Sequence, residues 1–221
     1  MKDIPVFSTS NGVAAIALQQ IPYTGFAHIT VHSSVEPDAF MKECVEFCRA
    51  VGAQRILACG HSRLDKFPVF TKILQMQMPV QENTFHAYLF PVTETSLDHW
   101  LNIYNTAMTG VSNATILSRQ MGKEILKKGT AYYVHDGGEV LGIGVVEEDT
   151  VQAIVSCKKG AGECVMKTLC GAVCGDIVRV EVSENNIPAM KLYERMGFVA
   201  ANVSKTWYDV TNIFNMSSKN T

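Results

Sequence analysis

Two lysines and two glycines stand together in Cys157-Lys158-Lys159-Gly160-Ala161-Gly162, directly ahead of an amphipathic run over Gly162–Val173. Glycines let a backbone come close to a bulky anion, and amides at the amino end of a helix point at it. Lysines add positive charge, so the chemistry on offer is phosphate binding. A glycine turn that merely caps a helix would read the same way. Tyr193 lies on the apolar face of a short helix, where its ring is larger than a plain Leu/Met seam needs. Asn186 precedes Ile187-Pro188, a place where its side chain can cap that helix. Glu147-Glu148-Asp149 offers carboxylates for proton transfer, and at least two of the three read as an ordinary solvated turn. His28 and His32 share a strand face but stand about 13 Å apart at ~3.3 Å per residue, too far to ligate one metal ion.

These residues depend on the elements that carry them. Val178, Val180 and Val182 alternate with Arg179 and Glu181 as a strand with two unlike faces. Ser183–Asn186 breaks the pattern, Pro188 falls where a first helical turn tolerates it, and Ala189, Leu192, Tyr193 and Met196 recur at helical spacing up to Gly197. Upstream, the chain reads as strands Ala87–Val92, Ala131–His135, Val140–Glu147 and Thr150–Ser156, with helices Ser96–Met108, Asn113–Lys128 and Gly162–Val173 and a last strand Val203–Tyr208. Asp136-Gly137-Gly138-Glu139 is a hairpin turn. The first third reads as strands Val13–Gln19, Phe26–Ser33 and Gln54–Cys59 with a helix Asp38–Val51, followed by a less regular apolar segment, Leu64–Met78. Pro79–Asn83, polar and proline-containing, is the expected boundary between a segment 1–80 and a domain 84–221.

The stretch Val178–Phe198 resembles the last strand–helix unit of the GNAT superfamily of N-acetyltransferases, which carries N-x-x-A-x-x-L-Y-x-x-x-G-F. Asn186, Ala189, Leu192, Tyr193, Gly197 and Phe198 fill every fixed position. The order β-α-α-β-β-β-α-β-α-β over about His86 to Val210 is similar to that family's. The resemblance implies a mixed-sheet α/β fold, the GNAT acyl-CoA N-acyltransferase fold, with an N-terminal α/β extension. That extension is either a degenerate GNAT-like half or an unrelated layer.

Acetyl-CoA is then the implied co-substrate. Lys158, Lys159, Gly160, Ala161 and Gly162 stand at the family's pyrophosphate loop, with Cys157 where the pattern has Gln or Arg. The backbone of Ala153, Ile154 and Val155 is expected along the pantetheine, and Asn186 and Ala189 are expected near the cofactor. Tyr193 is implied as the general acid that protonates the departing thiolate, against the alternative of a core tyrosine. Asp149 is the candidate general base. The implied reaction is acetyl transfer to a primary amine of a small acceptor. A non-catalytic acyl-CoA-binding module and a structural protein with a dimer surface are the competing readings.

Composition bounds the partners. Hydrophobic residues make up 47% and charged residues 18% of 221, as in an ordinary globular chain, and the formal net charge of −2 gives no basic footprint for nucleic acid. The apolar run VAAIAL stops at Gln19-Gln20, far short of the roughly 20 residues of a membrane span, and Met1-Lys2-Asp3 opens a poor secretory signal. Seven cysteines in no C-x-x-C pair suit a reducing cytoplasm and no metal site. A monomer or homodimer is expected.

Overall fold

The Glu36-Pro37-Asp38 start and the Gly52 stop bracket a real helix, Pro37–Ala50, in the computed structural model, which describes residues 5–82, 85–111 and 114–216. Proline sits at its first turn, where its missing N–H costs nothing. Its buried stripe is Phe40, Met41, Cys44, Val45 and Cys48, so the two cysteines act as small hydrophobes. Burial pushes both thiols up to about 12.

The chain divides into two units, one comprising 1–73, 113–115 and 203–221, the other 74–112 and 116–202. The first holds β1 (Val6–Thr9), β2 (Gly12–Ala17), the single turn α1 (Ile21–Thr24), β3 (Phe26–Ser34), α2 (Pro37–Ala50), β4 (Arg55–Cys59) and a 3₁₀ turn (Ser62–Lys66). It also holds the start of β5 (Val69–Pro79) and the end of β11 (Val199–Asp209). Strands β1, β2 and β3 are antiparallel neighbours, β3 and β4 run parallel across α2, and β11 lies antiparallel on β4. The α2 stripe packs on Ala14, Ile16, Ala27, Ile29, Ile56 and Ala58. On the other face a smaller cluster gathers Leu57, Cys59, Ile73 and Trp207.

The second unit holds the rest of β5, β6 (Tyr88–Pro91), α3 (Leu97–Met108), α4 (Arg119–Lys128), β7 (Ala131–Asp136), β8 (Glu139–Glu147) and β9 (Thr150–Ser156). α5 (Gly162–Cys170), β10 (Ile177–Ser183), α6 (Ile187–Met196) and the start of β11 complete it. Its strand order is β5-β10-β9-β8-β7-β6, with β9 and β10 parallel and β6 to β9 antiparallel. Val165, Met166 and Leu169 of α5 pack with Tyr193 and Met196 of α6 against Val151, Val178, Val180 and Val182. Met166 and Leu169 are fully buried, each worth about 1.5–3 kcal/mol of transfer free energy. A side chain at Gly142 or Gly144 would collide with Val165 or Leu169, so these two glycines set how closely α5 lies on β8. The opposite face carries Trp100 and Tyr104 of α3 and Leu117 ahead of α4, over Tyr133, Ile143, Val145 and Val155.

Three expectations change. The apolar segment after Leu64 is not irregular: it becomes an eleven-residue strand, β5, whose alternation is broken where burial passes from Thr71 and Ile73 to Met76 and Met78. Helix α4 begins at Arg119, because the Ser118 hydroxyl accepts from the Met121 amide and the Asn105 side chain pins Leu117 through both its amide and its carbonyl. Asn113, where the periodicity starts that helix, lies outside the described residues. Helix α5 stops at Cys170, three residues short of Val173.

Candidate acyl-CoA site

Parallel strands β9 and β10 pair at only two positions, Arg179 with Thr150 and Val180 with Val151. Beyond Val151 they share no register, and the strands form a fork. Its vertex coincides with a bulge. The β8–β9 register passes from Val146 opposite Val151 to Val145 opposite Ala153, leaving Gln152 as the extra residue. Along Ala153–Val155 the fork-side edge of β9 has no strand partner on β10; the groups of Ala153 and Val155 turn to β8, and those of Ile154 face the fork, where an extended amide-bearing ligand can pair with them. The parallel pair β3–β4 of the other unit behaves differently, with five successive pairs from Phe26–Arg55 to Thr30–Cys59 and no fork there.

The β9 strand runs out of the fork into the loop Cys157–Ala161 and then α5. The Cys157 amide donates to the Leu141 carbonyl at 2.9 Å, the Ser156 hydroxyl to the Lys158 carbonyl at 2.6 Å, and the Ala161 amide to the Lys158 carbonyl at 3.2 Å. These bonds fold the loop into a turn with Gly160 at φ +87°, and a Cβ built on Gly160 would meet nothing within 4 Å. The space in front of that backbone is open. Ala161 precedes α5 without a side-chain cap, so the amides of the first turn keep their capacity for an anion. Gly162 serves a different purpose: a side chain there would press on Leu192 of α6 at 3.2 Å.

Charges frame the turn. The Lys158 ammonium meets the Glu139 carboxylate at 2.5 Å, both groups more than half exposed, and such a pair is worth about 0–1 kcal/mol. A phosphate can therefore recruit Lys158 at small cost. Glu163 in the first turn of α5 is held by Lys167 at 3.2 Å and Arg195 at 3.8 Å. Cys157 is exposed, and partial burial raises its thiol.

Tyr193 lies in the cluster that takes Val151 and Ile154 from one arm of the fork and Val180 and Val182 from the other. It is 5% exposed, and its ring is tilted on Phe198 at 5.3 Å. Burial pushes its phenol up to about 12. It is a protonated donor throughout the physiological range and cannot serve as a base. Asn186 caps α6: its side-chain oxygen accepts from the Ala189 amide at 3.3 Å, which engages both residues locally.

Asp149 sits on the closed side of the fork, about 7 Å along the strand before the last paired residue at ~3.3 Å per residue. Its carboxylate forms an ion pair with Arg179 and accepts from the Thr150 hydroxyl at 2.8 Å. Glu147 is held by Lys128 at 2.7 Å. The structure thus brings together the loop, the fork and Tyr193, and leaves Asp149 outside. Two residues at the vertex had no signal of their own in the sequence. Gln152 is there because of the bulge, and Glu181 because of the register of β10. Among the described residues no three His, Cys, Asp or Glu side chains are grouped to hold a metal ion.

No protein-family model and no curated protein matches this sequence. Solved structures do match. A GCN5-related N-acetyltransferase from Anabaena variabilis superposes with a TM-score of 0.62 at 12% identity, over 92% of this chain and 60% of that one. A GCN5-related N-acetyltransferase from Sphaerobacter thermophilus gives a TM-score of 0.55 at 11% identity, over 90% of this chain and 76% of that one. A functionally unknown conserved protein from Staphylococcus epidermidis gives 0.52 at 8% identity, over 94% and 93%. Together with the forked parallel pair and the loop-to-helix junction at its mouth, these likenesses identify the architecture: the chain has the fold of the GNAT acetyltransferases.

Proposed function

We propose that this chain transfers the acetyl group of acetyl-CoA to a primary amine of a small acceptor. The observation that carries the proposal is the fork between β9 and β10, opening onto an uncapped helix and an open glycine turn at one end and Tyr193 at its side. In this reading the pyrophosphate rests on the amides of Gly160 and Gly162, on either side of Ala161, with Lys158 and Lys159 beside it. The pantetheine arm pairs with the backbone of Ala153–Val155, which places the thioester near the vertex. The acceptor nitrogen attacks the thioester carbonyl, the C–N bond forms, and the C–S bond breaks as Tyr193 gives its proton to the leaving sulfur. Asn186 and Ala189 support the site by holding the amino end of α6, on which Tyr193 is carried.

The first unit repeats part of the same order, three antiparallel strands, a helix and a parallel strand. We read it as a degenerate GNAT-like half whose fork is closed. No helix among the described residues is long and apolar enough to cross a membrane, and all seven cysteines are free thiols, which suits the cytoplasmic setting proposed. A monomer or homodimer, with no nucleic-acid partner, completes the reading.

A second reading, an acyl-CoA-binding module without turnover, draws on Cys157 in the phosphate loop and on the capture of Asp149 by Arg179. Two measurements separate them. Acetyl-CoA at a hundred times its Kd should stabilise the fold by about 2.7 kcal/mol, and thiol release in the presence of amines should then report turnover. Binding without thiol release supports the module. Neither binding nor release removes both readings.

A further inference from the structure

The parallel pair β3–β4 of the first unit ends in a cleft. Strand β3 finishes at Ser34, β4 at Cys59, and α2, which joins them, starts at that same end. The carboxyl ends of parallel strands are where open α/β sheets form ligand crevices. Gly60, at φ +94°, passes so close to β3 that a side chain there would strike the Val31 carbonyl, and this approach sets His61 beside the end of β3. Ser34, Asp38, His61 and Arg63 line the cleft over an apolar floor of Val31, Phe40, Met41, Leu64 and Phe67. The floor residues are all buried members of the core around α2. The empty volume of about 280 Å³, counting solvent at the mouth, falls below the ~300–1,000 Å³ of a drug-sized pocket and suits a one-ring or short branched molecule.

The polar end is rich in donors and short of acceptors. The Ser34 hydroxyl oxygen is buried and, among the described residues, has no hydrogen-bond partner. His61 Nδ1 accepts from the Arg63 amide at 3.1 Å, so in the neutral ring Nε2 carries the proton and can donate. The Arg63 side chain is exposed and forms no ion pair among the described residues. Helix α2 starts without a side-chain cap, which leaves the amides of Asp38 and Ala39 as open donors. Asp38 is the one carboxylate among the described residues lining the cleft, and it already accepts from Lys66 at 2.6 Å. That bond, with the charges of Lys66, Arg63 and Lys42, holds its carboxyl below the usual carboxylate range. Three cations thus answer one carboxylate, and positive charge is left over.

We infer that this cleft binds a small organic carboxylate with an apolar body, of the size of benzoate or 3-methylbutanoate. The carboxylate takes the donors of Ser34, His61, Arg63 and the first turn of α2, and the ring or branched chain covers the apolar floor. Mostly apolar walls with a few polar groups that fix orientation are the usual make-up of a small-molecule site. A buried hydroxyl without a partner costs stability that a bound acceptor returns, so Ser34 sets the cleft apart from a plain surface dimple. Inorganic phosphate would meet the same donors but would leave the apolar floor in water. Nothing in this site depends on acetyl transfer by the second unit.

The test is calorimetric titration of the full chain with sodium benzoate and sodium 3-methylbutanoate, with benzamide and inorganic phosphate in parallel. It is repeated on Arg63→Gln and Ser34→Ala, and thermal melts at matched ionic strength accompany each titration. Expected is one-site binding of at least one acid with a raised melting temperature, benzamide and phosphate being at least about tenfold weaker. Arg63→Gln, which removes only an exposed charge, should weaken the acid by at least about tenfold. Ser34→Ala should melt no lower than the wild type without ligand and should bind the acid more weakly. Absence of binding by both acids up to about 10 mM overturns the site. Benzamide binding as tightly as benzoate, or phosphate binding more tightly than both acids, overturns the ligand class. Unchanged affinity in Arg63→Gln places the acids elsewhere on the chain and overturns the site as well.

Discussion

Tyr193 is the residue at which packing and chemistry are hardest to separate, because its ring belongs to the core whatever its hydroxyl does. Tyr193→Phe keeps the ring and removes the hydroxyl. If the hydroxyl protonates the thiolate, kcat should drop by about 10²–10⁴-fold with little change in the Michaelis constant for acetyl-CoA. Unchanged kcat with a lowered melting temperature would make it a core residue only. Asn186 offers the complementary case. Its cap on the Ala189 amide means that Asn186→Ala should cost about 0.5–2 kcal/mol of stability, read by urea unfolding. Acetyl-CoA affinity should be nearly unchanged once the variant is folded; a tenfold loss would return Asn186 to direct cofactor contact. The motif position alone could not distinguish these roles, because a capping asparagine and a ligand-binding asparagine look identical in a sequence.

At the scale of elements, the loop before α5 joins two glycines that do different work. Gly160 has a left-handed backbone and open space above it, whereas Gly162 lies against Leu192. Gly160→Val should therefore weaken acetyl-CoA binding, through strain and lost backbone access. Gly162→Asp should act first on stability, through the α5–α6 contact. Calorimetric titration together with thermal melts on both variants checks this division, and equal loss of affinity at equal stability would contradict it. In strand β3, His28 stacks edge-on with Trp207 at 5.0 Å. Burial, helped by the charge of Lys205, lowers its pKa to about 4. The unfolded chain binds a proton at His28 near pH 6.5 and the folded chain does not until about pH 4. This contribution is present above pH 6.5 and is lost as pH falls toward 4, by about 3 kcal/mol at ~1.4 kcal/mol per unit. Urea midpoints followed from pH 7.5 to 4 should show the decline, and His28→Phe should flatten it.

For the whole molecule, the two parallel pairs differ in a way that predicts a stoichiometry for the proposed cofactor. The β9–β10 pair is forked after two positions and the β3–β4 pair is closed over five. One acetyl-CoA per chain is the expected result by calorimetry. Two equivalent sites would show that the first unit binds as well, contrary to its reading as a degenerate half. The first unit does contain a small cleft at the amino end of α2, lined by Ser34, Asp38, His61 and Arg63, but the Asp38 carboxylate is already bound to Lys66 at 2.6 Å. That ion pair leaves it a poor counterpart to the phosphate loop.

The sequence alone determined what is local. Alternating valines fixed the faces of β10, Pro188 and Gly197 bounded α6, and the glycines after Lys159 marked the turn before α5, since each depends on neighbours a few residues away. Strand β5 was not legible, because its inward parity changes between Ile73 and Met76 and no single period describes it. The bulge at Gln152, the fork it opens and the placement of Glu181 beside it were equally hidden. Each is a relation between strands brought together only by folding, and a one-residue change of register would turn those side chains to the other face. The capture of Asp149 by Arg179, thirty residues away in the chain, was decided in the same way. Local periodicity thus specifies the elements, whereas pairing between distant strands determines which carboxylates near the fork are held in ion pairs.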